Sequence, residues 1–208
     1  MLRSTLGLAG LALLLGLAAP APTSPPPARE TAVFAGGCFW SMEKAFDGLP
    51  GVLETDVGYA GGRTANPTYK EVGTGRTGHA ESVRVVYEPA RISYDSLLNV
   101  YWHHIDPTTP NRAFCDRGPQ YRSIIFFGDP EQKRMAEASK AGLDRSGRFD
   151  KPVVTTVEPG TKFYPAEEYH QQFYKKNPAH YEAYRIGCGR DARIAELWGD
   201  MKVAKEGR

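Results

Sequence analysis

The chain changes its hydrophobic period within residues 31–46. Apolar residues first alternate as in a strand and then recur with the spacing of a helix face: Val33 and Ala35 in the first part, Met42, Ala45, Phe46 and Leu49 in the second. Gly36 and Gly37 stand at the change, and glycine adopts backbone angles that other residues avoid. The pattern predicts a strand, a tight turn and a helix, with Cys38 at the N-terminus of the helix.

Cys38 is the reactive side chain that this turn presents. A thiol at a helix N-terminus meets the positive end of the helix dipole and unpaired backbone N–H groups, which lower its pKa below the ordinary value of about 8.5. Cys38 is therefore a candidate thiolate nucleophile. In the alternative interpretation it is a small buried apolar residue, and Phe39 and Trp40 are ordinary core aromatics. These residues taken alone leave both interpretations open.

The first residues have the pattern of a secretory signal peptide. Arg3 supplies positive charge, an uncharged run of Leu, Ala and Gly covers residues 6–19, and small residues follow. That run is shorter than the roughly 20 apolar residues of a membrane-spanning helix. We predict a signal peptide at 1–21, a Pro-rich linker at 22–30 and one folded domain at 31–208. The protein is accordingly expected to be exported, either to a periplasm or as a secreted protein.

Composition and charge exclude several classes of function. With 26 Lys and Arg against 24 Asp and Glu the formal net charge is +2, and the basic residues are scattered, so nothing indicates a nucleic-acid partner. The 3 cysteines are too few for a disulfide scaffold, and an odd number in an exported protein indicates at least one functional thiol. We find no metal-ligand spacing and no phosphate-binding loop, so neither a metal nor a cofactor is expected.

Further hydrophobic periods and turn residues predict the remaining elements. Strands are expected at 31–36, 52–59, 81–88, 121–127 and 152–158, and helices at 38–47, 93–105, 165–175 and 191–198, with one more opened by Asp129, Pro130 and the capping-box residue Gln132. A Gly-rich loop is expected through residue 78 and an irregular loop at 107–120. Strands alternating with helices in mixed order indicate an α/β or α+β domain of two layers.

Glu81 has the same side-chain parity as the apolar row of the strand predicted at 81–88. A carboxyl group at the end of a core-facing row is partly desolvated, which raises its pKa and suits a general acid near neutral pH. In the alternative interpretation, Glu81 lies at the solvent-exposed end of the strand and forms an ion pair with an arginine such as Arg84 or Arg122.

Tyr69 and Tyr121 each follow turn or loop residues, so their hydroxyls are expected at the rim of a cleft. A tyrosine hydroxyl can donate and accept a hydrogen bond from a rigid ring. Without further support, ordinary packing would explain both residues as well.

The segment Gly37-Cys38-Phe39-Trp40 resembles the active-site motif of the A-type peptide methionine sulfoxide reductases, although many members have Gly at the position of Ser41. More segments resemble this family in the same order along the chain: 58–62 (GYAGG), 67–69 (PTY), 77–81 (TGHAE), 116–123 (DRGPQYRS) and 166–170 (AEEYH). Together they span nearly the whole chain after the N-terminus.

The resemblance implies an α-β plait around a mixed sheet and a role for each matching residue. Cys38 would attack methionine S-sulfoxide, and Glu81 would supply the proton. Tyr69 and Tyr121 would join Glu81 in bonding the sulfoxide oxygen, and Asp116 matches an active-site aspartate. Phe39 and Trp40 would form an apolar wall around the substrate methyl group. The substrates would be oxidised methionine-containing proteins or free methionine sulfoxide, and a monomer is expected.

Attack by Cys38 would leave a cysteine sulfenic acid, which condenses readily with another thiol. Cys188, between Gly187 and Gly189, resembles the resolving cysteine of the family, although the following segment differs from the Gly-rich tail of many members. Cys115 directly precedes Asp116 and is the alternative resolving thiol. In a third interpretation Cys115 and Cys188 form a structural disulfide. We favour Cys188, with a thioredoxin or thioredoxin-like protein as the external reductant.

Two other classes of function compete with this hypothesis. The first is an acyl-transferring hydrolase that uses Cys38 with His79 or His170. The second is an exported binding module without activity, which docks methionine-rich segments on Phe39 and Trp40.

Overall fold

The computed structural model describes residues 28–199. The predicted signal peptide at 1–21 and most of the linker predicted at 22–30 lie outside the described residues, as does the end of the chain from residue 200. None of the described helices is long and apolar enough to span a membrane.

Strands and helices alternate along the described chain. The strands are β1 (Glu30–Gly36), β2 (Val52–Ala60), β3 (Ala80–Tyr87), β4 (Arg112–Ala113), β5 (Asp116–Arg117), β6 (Ser123–Phe127), β7 (Thr156–Pro159) and β8 (Tyr164–Pro165). The helices are α1 (Phe39–Phe46), α2 (Tyr69–Gly73), α3 (Tyr94–His103), α4 (Pro130–Arg145), α5 (Phe173–Lys176), α6 (Pro178–Gly187) and α7 (Arg190–Trp198).

Six strands form one mixed sheet in the order β7-β6-β1-β3-β2-β8, and β4 and β5 form a separate short ribbon. β1 lies inside the sheet and is antiparallel to both β3 and β6, whereas β6 and β7 are parallel. Helices pack against this sheet, so the predicted two-layer α-β fold with a mixed central sheet is confirmed. The topology brings the end of β1 beside the start of β3, because Ala35 pairs with Ser82.

The main core lies between the sheet and helices α1, α3 and α4. Phe34 of β1 stacks on Phe46 of α1 and on Tyr101 of α3, with ring centroids 5.2 and 5.1 Å apart. All three rings are fully buried. Burial of each such side chain contributes roughly 1.5–3 kcal/mol, so this contact fixes α1, and with it the site described below, against the sheet.

Helices α3 and α4 begin where their sequences predict. Ser93 caps α3 by accepting a hydrogen bond from the Ser96 N–H. Asp129 caps α4 by accepting from Glu131 and Gln132. The reciprocal half of the predicted capping box is wrong, because the Gln132 side chain accepts from the Gly128 N–H, 2.9 Å away.

The single helix predicted at 165–175 is wrong. A 3-10 turn and the short helix α5 take its place, separated by Gln172 with a left-handed φ of 52°. The side chain of Gln171 accounts for the break, since its amide both donates to and accepts from the backbone of Val57, at 2.9 Å each. These bonds hold Gln171 beside β2 with extended backbone angles, which interrupts the helix despite the helix propensity of the segment.

Two predicted strands start later than expected, at Ser123 and at Thr156. Tyr121 belongs instead to a 3-10 turn. The N–H of Val154 donates to the carbonyl of Pro107, outside the sheet.

The sequence patterns also miss four features. These are α2 within the predicted Gly-rich loop, the β4–β5 ribbon within the predicted irregular loop, the edge strand β8, and the whole of α6. Signals for two of them exist: Thr68 and Glu71 form a complete capping box before α2, and Pro178 opens α6.

Candidate active site

Cys38 is the N-cap residue of α1, directly after the turn that ends β1. Gly37 makes this turn possible with a φ of 86°. A Cβ atom added there would lie only 2.3 Å from the Cβ of Ala113, so glycine is required for space as well as for conformation. Cys38 is 6% exposed and is the free cysteine of the described chain. Its predicted place at the helix N-terminus is confirmed.

The predicted lowering of the Cys38 pKa is wrong. Burial, followed by the negative charge of Glu81, raises the pKa of the thiol to about 12, against smaller lowering effects of Tyr184 and Arg190. The helix terminus offers little compensation, because the N–H of Phe39 donates to Glu81 Oε2 at 3.1 Å. The helix end that the sequence assigns to the thiol thus serves the neighbouring carboxyl group.

Glu81 lies on β3 with its side chain 3% exposed, on the buried parity that the sequence predicts. Burial raises the pKa of its carboxyl group to about 8, while the hydrogen bond from Phe39 opposes the shift and the charge of Asp116 adds to it. The raised pKa is confirmed, and Glu81 is a protonated acid at neutral pH. The alternative pairing is wrong, since Arg84 bonds Asp56 at 2.7 Å.

Arg122, the other suggested partner of Glu81, is engaged elsewhere too. Its guanidinium donates to the carbonyls of Pro119 and Gly78 at 2.7 and 2.9 Å.

Phe39 and Trp40 are the aromatic residues beside Cys38. The ring centroid of Phe39 lies 6.5 Å from that of Trp40 and 6.3 Å from that of Tyr69. Trp40 stacks on Phe173 with centroids 3.8 Å apart, and its indole N–H donates to Nδ1 of His170 at 3.1 Å. The two residues therefore form fixed apolar surfaces next to the thiol, and α5 and the preceding 3-10 turn hold them in place.

Tyr69 and Tyr121 approach the same centre from different elements. Tyr69 opens α2, and its N–H donates to Glu167 Oε1 at 2.8 Å. Burial and the charge of Glu81 raise the pKa of Tyr69 to about 12 and raise that of Tyr121 further. Both phenols are therefore hydrogen-bond donors throughout the physiological pH range. Within residues 28–199, no protein group forms a hydrogen bond with either hydroxyl.

Asp116 and Tyr184 complete the surroundings of Cys38. The Tyr184 hydroxyl donates to Asp116 Oδ2, and the same hydroxyl lies close enough to Cys38 to lower its pKa. Burial raises the pKa of Asp116, while Tyr184 and Arg190 oppose the shift. Asp116 is among the predicted site residues, whereas Tyr184 and Arg190 are not. No local signal identifies these two, since they come from α6 and α7.

Cys115 and Cys188 are joined by a disulfide, with Cα atoms 4.8 Å apart. This is the pairing that the third interpretation of the sequence describes, and it leaves Cys38 as the free thiol. Within the described residues, one group of side chains has the spacing of a possible metal site: the donor atoms of Cys115, Asp116 and Cys188 lie within 4.8 Å of one another. The two sulfurs are bonded to each other, so this form of the chain offers no thiolate pair to a metal.

The two histidines of the competing hydrolase hypothesis form no pair with Cys38 in the described chain. The ring of His79 bonds the Gly62 N–H and the Thr64 carbonyl, which fixes the adjacent loop. His170 accepts from Trp40 and burial lowers its pKa, so it remains neutral. A cysteine hydrolase needs a base in contact with its thiol, and this arrangement provides a carboxylic acid instead.

The fold and site place a buried thiol at a helix N-terminus near a buried carboxyl group and a cluster of aromatic rings, an arrangement typical of cysteine enzymes. The family model described as peptide methionine sulfoxide reductase matches residues 30–202. The chain is 54% identical over 169 residues to peptide methionine sulfoxide reductase MsrA of Listeria monocytogenes, covering 81% of this chain and 96% of that protein. The chain belongs to the peptide methionine sulfoxide reductase family.

Solved structures agree with this assignment. Methionine sulfoxide reductase A of Corynebacterium diphtheriae is 39% identical with a TM-score of 0.65, covering 74% of this chain and 77% of that one. Reduced Mxr1 of Saccharomyces cerevisiae is 31% identical with a TM-score of 0.68, covering 73% and 87%. The activity of the chain is therefore the thiol-dependent reduction of methionine sulfoxide to methionine.

Proposed function

We propose that Cys38 is the nucleophile and Glu81 the general acid in the reduction of the S epimer of methionine sulfoxide, free or in oxidised proteins. The observation that carries this proposal is the buried Glu81 carboxyl group, whose pKa is raised to about 8 and which the Phe39 N–H holds beside the nucleophile. A sulfoxide oxygen is a poor leaving group until it is protonated, so the thiol needs an acid at this position.

The chemical step balances with these two groups alone. The Cys38 sulfur bonds to the sulfoxide sulfur, and the Glu81 proton passes to the sulfoxide oxygen. The hydroxyl then passes from the substrate sulfur to the Cys38 sulfur, where a new sulfur–oxygen bond forms. The sulfur–oxygen bond of the substrate and the bond between the two sulfurs both break, so methionine leaves and Cys38 is left as a sulfenic acid. The substrate sulfur gains two electrons and the cysteine sulfur loses two. The proton that Cys38 gives up as a thiol restores that of Glu81.

The neighbouring side chains suit the binding of a methyl sulfoxide. Phe39 and Trp40 supply an apolar surface for the methyl group. The Trp40 ring is held in place by stacking on Phe173. Tyr69 and Tyr121 supply two hydroxyl donors of raised pKa for the oxygen. Donors that are in place before the reaction stabilise the charge that develops on oxygen without reorganisation.

We assign Cys188 as the thiol that resolves the sulfenic acid, as its resemblance to the family suggests. Cys188 directly follows α6, the helix that carries Tyr184, and the Cys188 N–H donates to the Tyr184 carbonyl at 2.9 Å. The Tyr184 hydroxyl in turn bonds the Cys38 thiol. Attack of Cys188 on the sulfenic acid would release water and form a Cys38–Cys188 disulfide. Exchange with Cys115 would then give the Cys115–Cys188 disulfide and return Cys38 as a thiol.

The external reductant in this proposal is a thioredoxin or thioredoxin-like protein. The Cys115–Cys188 disulfide is a suitable target for it because Cys115 is exposed. Mxr1 of Saccharomyces cerevisiae has also been solved in complex with Trx2. Dithiol exchange of this kind needs an accessible disulfide sulfur.

We further propose that the protein is exported and works as a monomer. The positive charge and the apolar run within residues 1–21 support export. N-terminal sequencing of the secreted protein and its mass in solution test both statements. Retention of residues 1–21 in the cytoplasm, or a stable dimer, would contradict them.

The decisive experiment follows the separated S and R epimers of a blocked methionine sulfoxide with excess dithiothreitol. The wild-type protein should consume the S epimer, and the Cys38→Ser variant should consume neither. Cys38→Ser should still be folded, as its melting curve will show. Absence of S-epimer loss with folded wild-type protein would overturn the proposal. Methionine-peptide binding without turnover would then favour the binding-module alternative.

A further inference from the structure

Arg190 is the first residue of α7 and is 1% exposed, which is unusual for a guanidinium. Its Nη2 donates to the carbonyl of His104 at 2.9 Å and to that of Gly36 at 3.2 Å. The guanidinium carbon lies over the ring of Phe114, 4.3 Å from its centroid. These contacts fix the cation against the turn that leads into Cys38.

Two of the three guanidinium nitrogens have no partner within the described residues. Nε and Nη1 of Arg190 are both buried and unbonded. A Cβ placed on Gly37 would be 3.7 Å from Nη1, so the unbonded donors lie next to the residue that precedes Cys38. A buried donor without a partner is destabilising, because it has lost its hydrogen bonds to water. An arginine remains charged even when buried, so this position holds a permanent, undercompensated positive charge.

The charged and titratable groups around Cys38 come from every element packed against it. They are Glu81 on β3, Asp116 on β5, Tyr184 on α6, Arg190 on α7, Tyr69 on α2 and Tyr121 on the 3-10 turn before β6. Two carboxyl groups raise the pKa of the Cys38 thiol, whereas Arg190 lowers it. Within the described chain, Arg190 is the one cation in this set.

We propose that Arg190 is a positioning residue that holds the Gly36–Gly37 turn and supplies the positive charge facing the Cys38 thiolate. Its hydrogen bonds to the turn hold the guanidinium near the Cys38 sulfur. The unbonded Nε and Nη1 donors can then interact with the negative charge that appears when the thiol ionises. This inference rests on the proposed role of Cys38 as nucleophile. The acidity of the thiol can nevertheless be measured whether or not the protein reduces a sulfoxide.

The test is the rate of Cys38 alkylation by iodoacetamide at about pH 8 in the non-reduced protein, where the disulfide protects the other two cysteines. Arg190→Gln keeps donors for the two carbonyls but removes the charge. Its alkylation rate should fall about tenfold, because less thiolate is present at a fixed pH. Arg190→Lys keeps the charge without the planar guanidinium, and its rate should fall by a smaller factor.

Arg193→Gln is the matched control on the same helix, because Arg193 bonds Asp106 at 2.9 Å and does not face Cys38. Its alkylation rate should equal that of the wild type. Folded Arg190→Gln with the wild-type rate would overturn the proposal. If Arg190→Gln does not fold, Arg190→Met decides, because it also removes the charge: a rate about tenfold lower than that of the wild type supports the role of the charge, and a wild-type rate rejects it. Peptide mapping confirms that Cys38 is the alkylated residue.

Discussion

Glu81 accepts the backbone N–H of Phe39, the residue that follows Cys38, at 3.1 Å. The proposed proton donor is therefore attached to the helix end that carries the proposed nucleophile. The two groups are also coupled through charge, since an ionised Glu81 raises the pKa of the Cys38 thiol. Loss of the Glu81 proton thus removes the acid and disfavours the thiolate at once. Both effects reduce activity in the same direction.

Replacement of this acid should separate the two effects. Glu81→Gln can still accept the Phe39 N–H but supplies no proton, so kcat/KM should fall about 10²–10⁴-fold. In the wild type, kcat/KM should rise with pH as more thiolate forms and should level off above about pH 8, where the loss of the Glu81 proton cancels the gain in thiolate. The remaining activity of Glu81→Gln should keep rising up to about pH 9.5. Initial rates with S-sulfoxide between pH 6 and 9.5 measure both effects.

Glu43→Gln is the matched control for this experiment, because burial also raises the pKa of Glu43 to about 8. Glu43 lies on the same helix, and its carboxyl accepts from the Gln172 N–H without contacting Cys38. The levelling of activity above pH 8 should remain in this variant. A levelling that disappears in Glu43→Gln and persists in Glu81→Gln would reject Glu81 as the acid.

The parts of the site that the sequence predicts arise from local periodicity. The change of period around Gly36 and Gly37 places Cys38 at a helix N-terminus, and strand parity places Glu81 in the buried row. Both features depend on residues a few positions apart, which a single sequence displays. The mixed sheet follows from the alternation of strands and helices together with the family resemblance.

The parts that the sequence does not predict depend on distant contacts. Arg190 reaches the carbonyl of Gly36 across 154 positions of the chain, in a helix whose pattern indicates ordinary packing. The pKa of Cys38 has the opposite direction to the prediction because burial and Glu81 outweigh the helix terminus. A one-dimensional pattern shows where a helix starts, but it does not show which side chain accepts its first N–H group.

The hydroxyls of Tyr69 and Tyr121 should each contribute to the transition state. Tyr69→Phe and Tyr121→Phe should lower kcat/KM by roughly tenfold to a hundredfold each, since each removes one donor to a developing negative charge. The KM values should change less than kcat if the bonds strengthen in the transition state. Tyr174→Phe is the control, because its hydroxyl bonds Asp47 away from the site. Steady-state kinetics with wild-type activity in both site variants would contradict this role.

Glu43 should make the stability of the fold depend on pH. Its side chain is fully buried and its folded pKa, about 8, lies above the usual value of about 4.3 for an unfolded chain. The unfolded chain therefore loses this proton first, and the free energy of unfolding falls as the pH rises from about 4.3 to about 8. Glu43→Gln removes this loss and should be more stable than the wild type by up to about 5 kcal/mol at pH 8.5, the full value of a shift from about 4.3 to about 8.

At pH 4 the advantage of Glu43→Gln should vanish, because the wild-type carboxyl is then protonated in both states. Urea unfolding at the two pH values measures the free energy of unfolding of both proteins. Titration of Glu81 changes that free energy equally in the two and cancels in the comparison. Equal stability of the two proteins at pH 8.5 would contradict this prediction. It would show that the Glu43 carboxylate becomes solvated in the folded protein.

The number of methionines formed without reductant should identify the role of the Cys115–Cys188 disulfide. If the disulfide is the product of resolution, a fully reduced chain can turn over twice: the first turnover ends with Cys115–Cys188, and the second ends with a sulfenic acid on the returned Cys38 thiol. Reduced wild-type protein freed of dithiothreitol should therefore yield about two methionines per chain, and protein with the disulfide already formed should yield about one.

Variants of the two cysteines distinguish the order of attack. Reduced Cys115→Ser should yield about one methionine and end as a Cys38–Cys188 disulfide, because no third thiol remains to release Cys38. Mass mapping of the unreduced peptides identifies that bond. A Cys38–Cys115 disulfide accumulating in Cys188→Ser at the wild-type rate would instead make Cys115 the resolving thiol. One methionine from the fully reduced wild type, with Cys115 and Cys188 still as thiols, would leave their disulfide a purely structural role, since resolution would then proceed without either residue.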